Sequence, residues 1–453
     1  MTALVWLRDD LRVADHPALH AAASSDSPLV VFYLLDEETP GIRPLGGAAR
    51  WWLHHSLTSL AADLRALGAT LVLRRGPAET VVPALVAETG AQHIHWIRRY
   101  GRSREADARL TTALESDGVT VHDYQGNLLR EPGSVLSGQG TPYRVFTPFW
   151  KATLALGEPR HPLPAPSKID AAPMPASDDL DDWHLLPTSP DWAGGLRDSW
   201  QPGEDAAHAQ LETFTDDSLE DYADHRDEPA VDATSRLSPR LRWGELSPFQ
   251  IWHHVTRVAQ SPKATTNAEA FLRQVTWREF NWNILFHQPD LATENFRPEY
   301  DAFPWDEPDR SKLAAWRHGR TGIPLVDAGM RELRHTGVMH NRVRLVTASF
   351  LVKNLLVDWR IGEAWFWDTL VDADEANNPA NWQWVAGSGA DAAPYFRVFN
   401  PVLQADRFDK RRAYQAKWIP ELGTDEYPEP IVDIKRSREG ALDAYSRFTR
   451  SSA

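Results

Sequence analysis

Five short β-rich runs within the first 125 or so residues constrain this chain most: Ala3 to Leu7, Leu29 to Leu35, Thr70 to Arg74, His93 to Ile97 and Val119 to Tyr124. Helical stretches such as Ala48 to Leu67 and Ala78 to Thr89 lie between them. Alternation of this kind predicts a parallel sheet with helices on both faces, a Rossmann-like doubly wound α/β unit. Neither a G-x-G-x-x-G nor a Walker A loop accompanies it, so those two phosphate-binding devices lend no support to a nucleotide enzyme.

Periodicity fades from 158 to 202, where nine prolines fall among many Asp and Ser. A long surface-wrapped connection is expected there, with Trp183, Trp192 and Trp200 buried beneath it. After Leu219 large apolar residues recur at three and four, as in Asn267 to Phe286, Gly322 to Leu333, Arg342 to Leu356 and Gly362 to Leu370. The larger C-terminal part should therefore be all-helical, with Ser247-Pro248 and Asn378-Pro379 as helix starts or turns. The division is 1–128, 129–218 and 219–453.

The chain has no cysteine, which removes disulfides, thiolate zinc sites, thiol nucleophiles and iron–sulfur clusters together and points to a cytoplasmic home. The longest apolar run, Leu29 to Leu35, is far short of the ~20 residues that span a bilayer. Arg8, Asp9 and Asp10 come too early for a signal peptide. The net charge of −15 is concentrated: residues 170 to 228 hold 17 acids against two Arg, leaving 46 acids and 46 bases elsewhere. Within that neutral remainder residues 331 to 360 carry six Lys or Arg and two acids, so a local basic patch for nucleic acid is compatible with the acidic total. Twelve of the 20 Trp follow residue 230, which gives the helical part a use for indoles.

Several clusters could carry chemistry. Thr234, Ser235, Arg236, Leu237 and Ser238 put three hydroxyls and a cation before a helical pattern, able to meet phosphate oxygens or simply to cap. Gln274, Trp277 and Arg278 share one helix face, either as a platform for a planar ring or as a core Trp with a snorkelling Arg. Asn341 and Arg344 share another, with Arg342 about 100° away. Asp372 and Asp374, followed by Asn377 and Asn378, admit a magnesium site of a transferase or helix capping. The pairs His54–His55 and His253–His254 lack an accompanying ligand set.

The order and spacing of these pieces resemble the DNA photolyase and cryptochrome family, most closely class I cyclobutane pyrimidine dimer photolyases. The stretches that carry the resemblance are Thr234 to Ser238, Trp277-Arg-Glu-Phe280, Met339-His-Asn-Arg-Val-Arg344, Thr347-Ala-Ser-Phe-Leu-Val352, Asp372 through Trp384, and Ala392 through Pro401. The resemblance implies an antenna domain followed by a helical domain holding FAD, active when reduced. Tyr222, Thr234 to Ser238, Arg278, Arg344, Asp372, Asp374 and Asn378 fall on FAD-contacting positions, with Asn378 facing flavin N5. Trp277, Trp384, Asn341 and Gln274 fall around the lesion. Arg226, Arg342, Arg397 and Gln404 fall on DNA-backbone positions, and Trp382, Trp359 and Trp305 on an electron relay. The implied reaction is light-driven electron transfer to a flipped-out pyrimidine dimer in UV-damaged DNA.

Two features depart from the class I pattern or leave it open. Gln274 stands where Glu is usual. For the antenna, Gly46 to Arg50 with Trp51 and Trp52, and Tyr100 to Arg102, resemble the subgroup that binds 8-hydroxy-deazaflavin more than the folate subgroup; Arg50 and Tyr100 are the expected contacts. A monomer with no membrane contact and no obligate protein partner is expected. The alternatives are a cryptochrome photoreceptor without repair, and repair of (6-4) photoproducts, whose animal-type members rely on a His pair at the lesion, one member of which falls near position 341, Asn here.

Overall fold

The computed structural model describes residues 2–392 and 396–451. Ala393, Pro394 and Tyr395, which belong to the last of the stretches quoted above, lie outside the described residues. Five parallel strands, β1 (Thr2–Leu7), β2 (Leu29–Leu35), β3 (Leu71–Arg75), β4 (Ala91–Ile97) and β5 (Thr120–Tyr124), form one sheet in the order β3-β2-β1-β4-β5. The helices α1 (Pro17–Ala23), α2 (Gly47–Ala66), α3 (Ala78–Thr89) and α4 (Ser103–Ser116) alternate with them. β2 is buried at every position, which is why it reads as an unbroken apolar run. Its odd residues, Val31, Tyr33 and Leu35, pack with Trp51, Trp52 and Leu53 of α2, while Val30, Phe32 and Leu34 pack with Val82, Leu85, Leu110 and Leu114 of α3 and α4. The period of two thus serves two separate cores.

From residue 219 onward no strand occurs among the described residues. The helix Pro262–His287 runs through this half. Ser247 opens the helix Pro248–Val258 with a reciprocal capping box to Gln250, as Ser-Pro spacing predicts. The expected helix over 342–356 instead ends as Asn341–Ser349 and continues into a π-helical turn, Phe350–Asn354, closed by Leu355 N donating to Phe350 O at 3.1 Å.

The proline-rich connection wraps the sheet edge: Leu29 pairs with Ala171, and Ile169 N donates to Leu67 O at 2.8 Å. Trp183 and Trp200 are buried but Trp192 is 43% exposed, against the expectation that all three lie inside. Two helices flank the connection and join the helical cores. Phe146–Ala155 packs Phe149 and Trp150 with Phe280 and Ile284, and Glu204–Asp217 packs Leu211 and Phe214 with Tyr222 and Phe271. No helix of the described residues is long and apolar enough to cross a membrane.

Candidate functional site

A cavity of about 970 Å³ opens in the helical half. Its walls come from Thr234 to Ser238, the helix Pro262–His287 (Gln274, Trp277, Arg278), the start of the helix Asn341–Ser349 (Asn341, Arg344), Asp372 and Asp374, and the helix Asn377–Ala386 (Asn378, Trp382, Trp384). Tyr222, Arg226, Arg236 and Leu237 line it too. Residues from Tyr222 to Trp384 are thus brought to one place.

Asp372 organises the polar end. Its Oδ2 accepts from Ser238 Oγ at 2.6 Å and from Arg344 Nη2 at 2.8 Å, and Arg344 Nε donates to Met339 O at 2.7 Å. Its Oδ1 is buried without a partner among the described residues. A buried carboxylate oxygen on a cavity wall with no donor is the kind of acceptor that a ligand hydroxyl or amine completes. Arg236 adopts a left-handed φ of 53° and lays its guanidinium over Trp200 at 4.6 Å, a sparsely populated backbone state that needs the surrounding contacts. Asp374 behaves differently: it accepts from Ala376 N at 2.9 Å and from Asn377 Nδ2 at 2.7 Å, so it lines the cavity while its carboxylate holds the next helix start. The two acids do not form a ligand set, and no group of three or more His, Asp or Glu able to hold a metal occurs among the described residues.

Asn378 donates through Nδ2 to Glu363 O at 3.0 Å and to Glu363 Oε1 at 2.8 Å. Both amide protons are therefore committed, leaving the amide oxygen as the group free to accept. Arg278 Nη1 donates to Asn127 O at 2.9 Å across the boundary with the N-terminal half.

At the mouth, Trp277 is stacked on Phe146 with ring centroids 3.9 Å apart and planes 9° from parallel. Phe146, buried and not itself on the cavity wall, backs Trp277 from more than a hundred positions away in sequence. Trp384 Nε1 donates to Asp391 O at 3.0 Å, which fixes its plane. Gln274 is half-buried and no hydrogen bond of its amide is present among the described residues. His340 accepts from Arg342 N at 3.2 Å as cap of the helix that starts at Asn341, and burial pushes it down to about 4. Arg342 Nη2 donates to Asp227 at 2.7 Å, and Arg226 Nε lies 4.0 Å from the same carboxylate. Arg397, exposed over Phe399, and Gln404 do not line the cavity; they line a neighbouring groove with Lys435 and Arg438.

Burial divides the three relay candidates. Trp382 is buried on the cavity wall, edge-on to Phe366 at 4.9 Å and so close to Gly362 that a Cβ there would clash with its ring. Trp359 is fully buried and donates to Asn295 Oδ1 at 3.0 Å, whereas Trp305 is half-buried against Phe303 at 4.4 Å. Of the other indoles in this half, Trp316 and Trp367 are buried, whereas Trp365 is half-buried beneath Arg317.

Residues 3–167 match the family model described as DNA photolyase, and residues 271–425 match the FAD binding domain of DNA photolyase. A deoxyribodipyrimidine photo-lyase of Agrobacterium fabrum is 45% identical over 99% of this chain and 98% of its own. The chain belongs to the DNA photolyase and cryptochrome family. Among solved structures, a bacterial class III photolyase from Agrobacterium tumefaciens superposes with a TM-score of 0.95 at 44% identity, covering 99% of this chain and 98% of that one. The Synechocystis cryptochrome superposes at 0.88 with 30% identity, covering 98% and 99%. Cryptochrome-2 of Arabidopsis thaliana is 34% identical over 98% of this chain and 78% of its own.

This family member has a second recess, between its halves. It lies beyond the carboxyl ends of β1, β2 and β4, lined by Arg8 to Asp10, Leu34 to Asp36 and Ile97 to Gly101. This is where β1 is flanked by β2 on one side and β4 on the other, the crevice that open α/β sheets use for ligands. Its free volume is about 120 Å³, below the ~300 Å³ of ordinary ligand sites. Tyr100 lines it, with its hydroxyl donating to Glu131 at 2.9 Å. Arg50 does not line it: the guanidinium is held by Glu37, and Trp51 and Trp52 lie in the core, Trp52 donating to Glu245 at 2.9 Å. Residues not foreseen here are Arg43 and Trp282, the latter with a buried indole N–H that has no partner among the described residues.

Proposed function

We propose that this chain repairs cyclobutane pyrimidine dimers in DNA under blue light, with FAD in the helical cavity. The observation that carries the reading is the joint placement of Asn378, Trp277, Trp384, Gln274 and Asn341 on one cavity whose polar end holds the incomplete Asp372 carboxylate. Bound reduced FAD would supply the light-driven electron. The chain's own residues bind and orient. Ser238, Arg344 and Asp372 would hold the cofactor's polar parts, the Asn378 oxygen would accept from the reduced ring, and Trp277 and Trp384 would wall the flipped-out bases. The decisive experiment irradiates reduced protein with dimer-containing and (6-4)-containing oligonucleotides in separate assays. Repair of the dimer alone supports the proposal.

The cryptochrome reading draws support from the relatives of that name, and it would hold if neither lesion is repaired while FAD is bound. Asn341 argues against (6-4) repair, and His340 beside it is committed to capping. In our reading 1–128 is the antenna domain, 129–218 the connection and 219–453 the catalytic domain, in a monomer. The recess at the sheet's switch point is the antenna site, for which 8-hydroxy-deazaflavin is favoured over folate; at its present volume a chromophore requires lining side chains to move.

Two expected results follow from the geometry. Asp372→Asn keeps an acceptor but loses the charge-assisted bonds, each worth ~1.5–3 kcal/mol, so FAD affinity should fall by about tenfold or more. Flavin absorbance per protein after dialysis measures this, and the melting temperature of the flavin-free protein reports separately the stability lost with the Ser238 and Arg344 bonds.

For DNA, each phosphate contact adds ~0.7–0.9 to the log–log salt slope, so Arg397→Ala and Arg342→Ala should each lower it. Asp227→Asn removes the counter-charge from Arg226 and Arg342 and should strengthen binding to undamaged duplex. Slopes unchanged in both arginine variants would take these residues off the DNA face.

A further inference from the structure

Asn378 is held by contacts that begin in the other half of the molecule. Glu363, to which it gives both amide protons, stands on the helix Trp359–Thr369 with its side chain only 2% exposed. Arg43 grips that carboxylate at two points, Nη1 to Oε1 at 2.7 Å and Nη2 to Oε2 at 2.9 Å. The planar fork of a guanidinium fixes direction as well as distance in such a pair.

Arg43 is itself seated. Its guanidinium stacks on Trp367 at 4.1 Å, Trp367 Nε1 donates to Pro44 O at 2.8 Å, and Gly47 N donates to Asp368 Oδ1 at 2.9 Å. A Cβ on Gly46 would fall into the backbone of Trp367 and Asp368, so segment 43–47 approaches the helix as closely as a chain can. Arg43 lines the recess between the halves and Asn378 lines the cavity, with Glu363 between them.

We propose that Arg43 is a positioning residue for the flavin: by pinning Glu363 it keeps the Asn378 amide turned with its oxygen toward the cavity. The inference rests on the reading that FAD fills the cavity against Asn378. An Asn side chain can present either its oxygen or its NH₂, and only the oxygen accepts from the N–H of a reduced ring. With the guanidinium gone, Glu363 loses its anchor, the amide can turn, and a buried carboxylate is left without its partner beside the ring. Both changes disfavour the electron-rich reduced flavin.

The test uses the FAD-loaded protein. Arg43→Gln, Arg43→Lys, Asn378→Ala and, as control, Arg50→Gln are reduced with dithionite and then exposed to air. Dioxygen takes two electrons and the N5 proton from the reduced flavin and a second proton from solvent, and leaves as hydrogen peroxide; flavin absorbance follows the rate. Arg43→Gln should re-oxidise several-fold faster with wild-type FAD content, Arg43→Lys should be intermediate because it keeps the charge but not the fork, and Arg50→Gln should match wild type. If Arg43→Gln does not fold, Arg43→Lys decides, and a wild-type rate in it overturns the proposal. Wild-type rates in the Arg43 variants beside a faster Asn378→Ala overturn the relay and leave the cavity reading standing. An equal effect in Arg50→Gln would mean general damage to that segment and also overturns the relay. A wild-type rate in Asn378→Ala, or protein isolated without flavin, overturns the cavity reading and the relay with it.

Discussion

Trp382→Phe should abolish photoreduction of the oxidised flavin while chemically reduced protein continues to repair dimers. Phe is far harder to oxidise than Trp, so a hop through this position stops when the indole is removed. Trp382 is the one relay candidate on the cavity wall, and it is wedged between Gly362 and Phe366. The substitution is smaller than its site, so some stability is lost to the void; melting curves and FAD content separate that loss from the electronic effect. Trp359→Phe should block photoreduction as well, at a further cost of ~1–3 kcal/mol because Asn295 Oδ1 loses its donor. Trp365→Phe, on the same helix but half-buried under Arg317, is the matched control and should photoreduce normally. Equal loss of photoreduction and repair in Trp382→Phe would mean that the residue matters to the pocket and not to electron supply.

What was legible in the sequence depended on whether one element's periodicity contained the information. β2 has the bounds expected of it because both its faces are buried, and a strand with no solvent side has no polar interruption to blur its ends. Gln274, Trp277 and Arg278 reach one cavity because helical spacing alone puts them on one face. The paired acids illustrate the opposite case. Two residues apart, Asp372 meets Arg344 and Ser238 while Asp374 turns to cap a helix, and nothing in the motif distinguishes the two fates. Arg50 and Arg43 form a similar contrast. The first sat in a suggestive motif and pairs with Glu37; the second sat in no motif and reaches Glu363, 320 positions away. Trp192 shows the limit of composition, since a large apolar side chain in an acidic connection can remain at the surface.

Gln274→Leu should lower the quantum yield of dimer repair several-fold while leaving FAD content intact, and Gln274→Glu should retain activity but make it fall as pH rises. The amide lines the cavity one turn before Trp277 and Arg278 and is not engaged by any hydrogen bond among the described residues, so it is available to a ligand. Negative charge grows on a dimer carbonyl when the electron arrives, and a donor already in place acts where charge develops. Gln donates in one charge state at every pH, so the wild-type yield should show no titration step from this position. A carboxyl at 274 donates only when protonated. Its half-buried site would raise it above the usual carboxylate range through desolvation, so the yield of Gln274→Glu should be high below that shifted pKa and decline through it. Glu279, fully buried on another face of this helix, shows the direction: burial lifts it to about 7, and the half-buried position 274 should shift less. Wild-type yield in Gln274→Leu, or a flat pH profile in Gln274→Glu with full activity, would show that this side chain does not touch the lesion and that the dimer is held by the Trp277 and Trp384 walls alone.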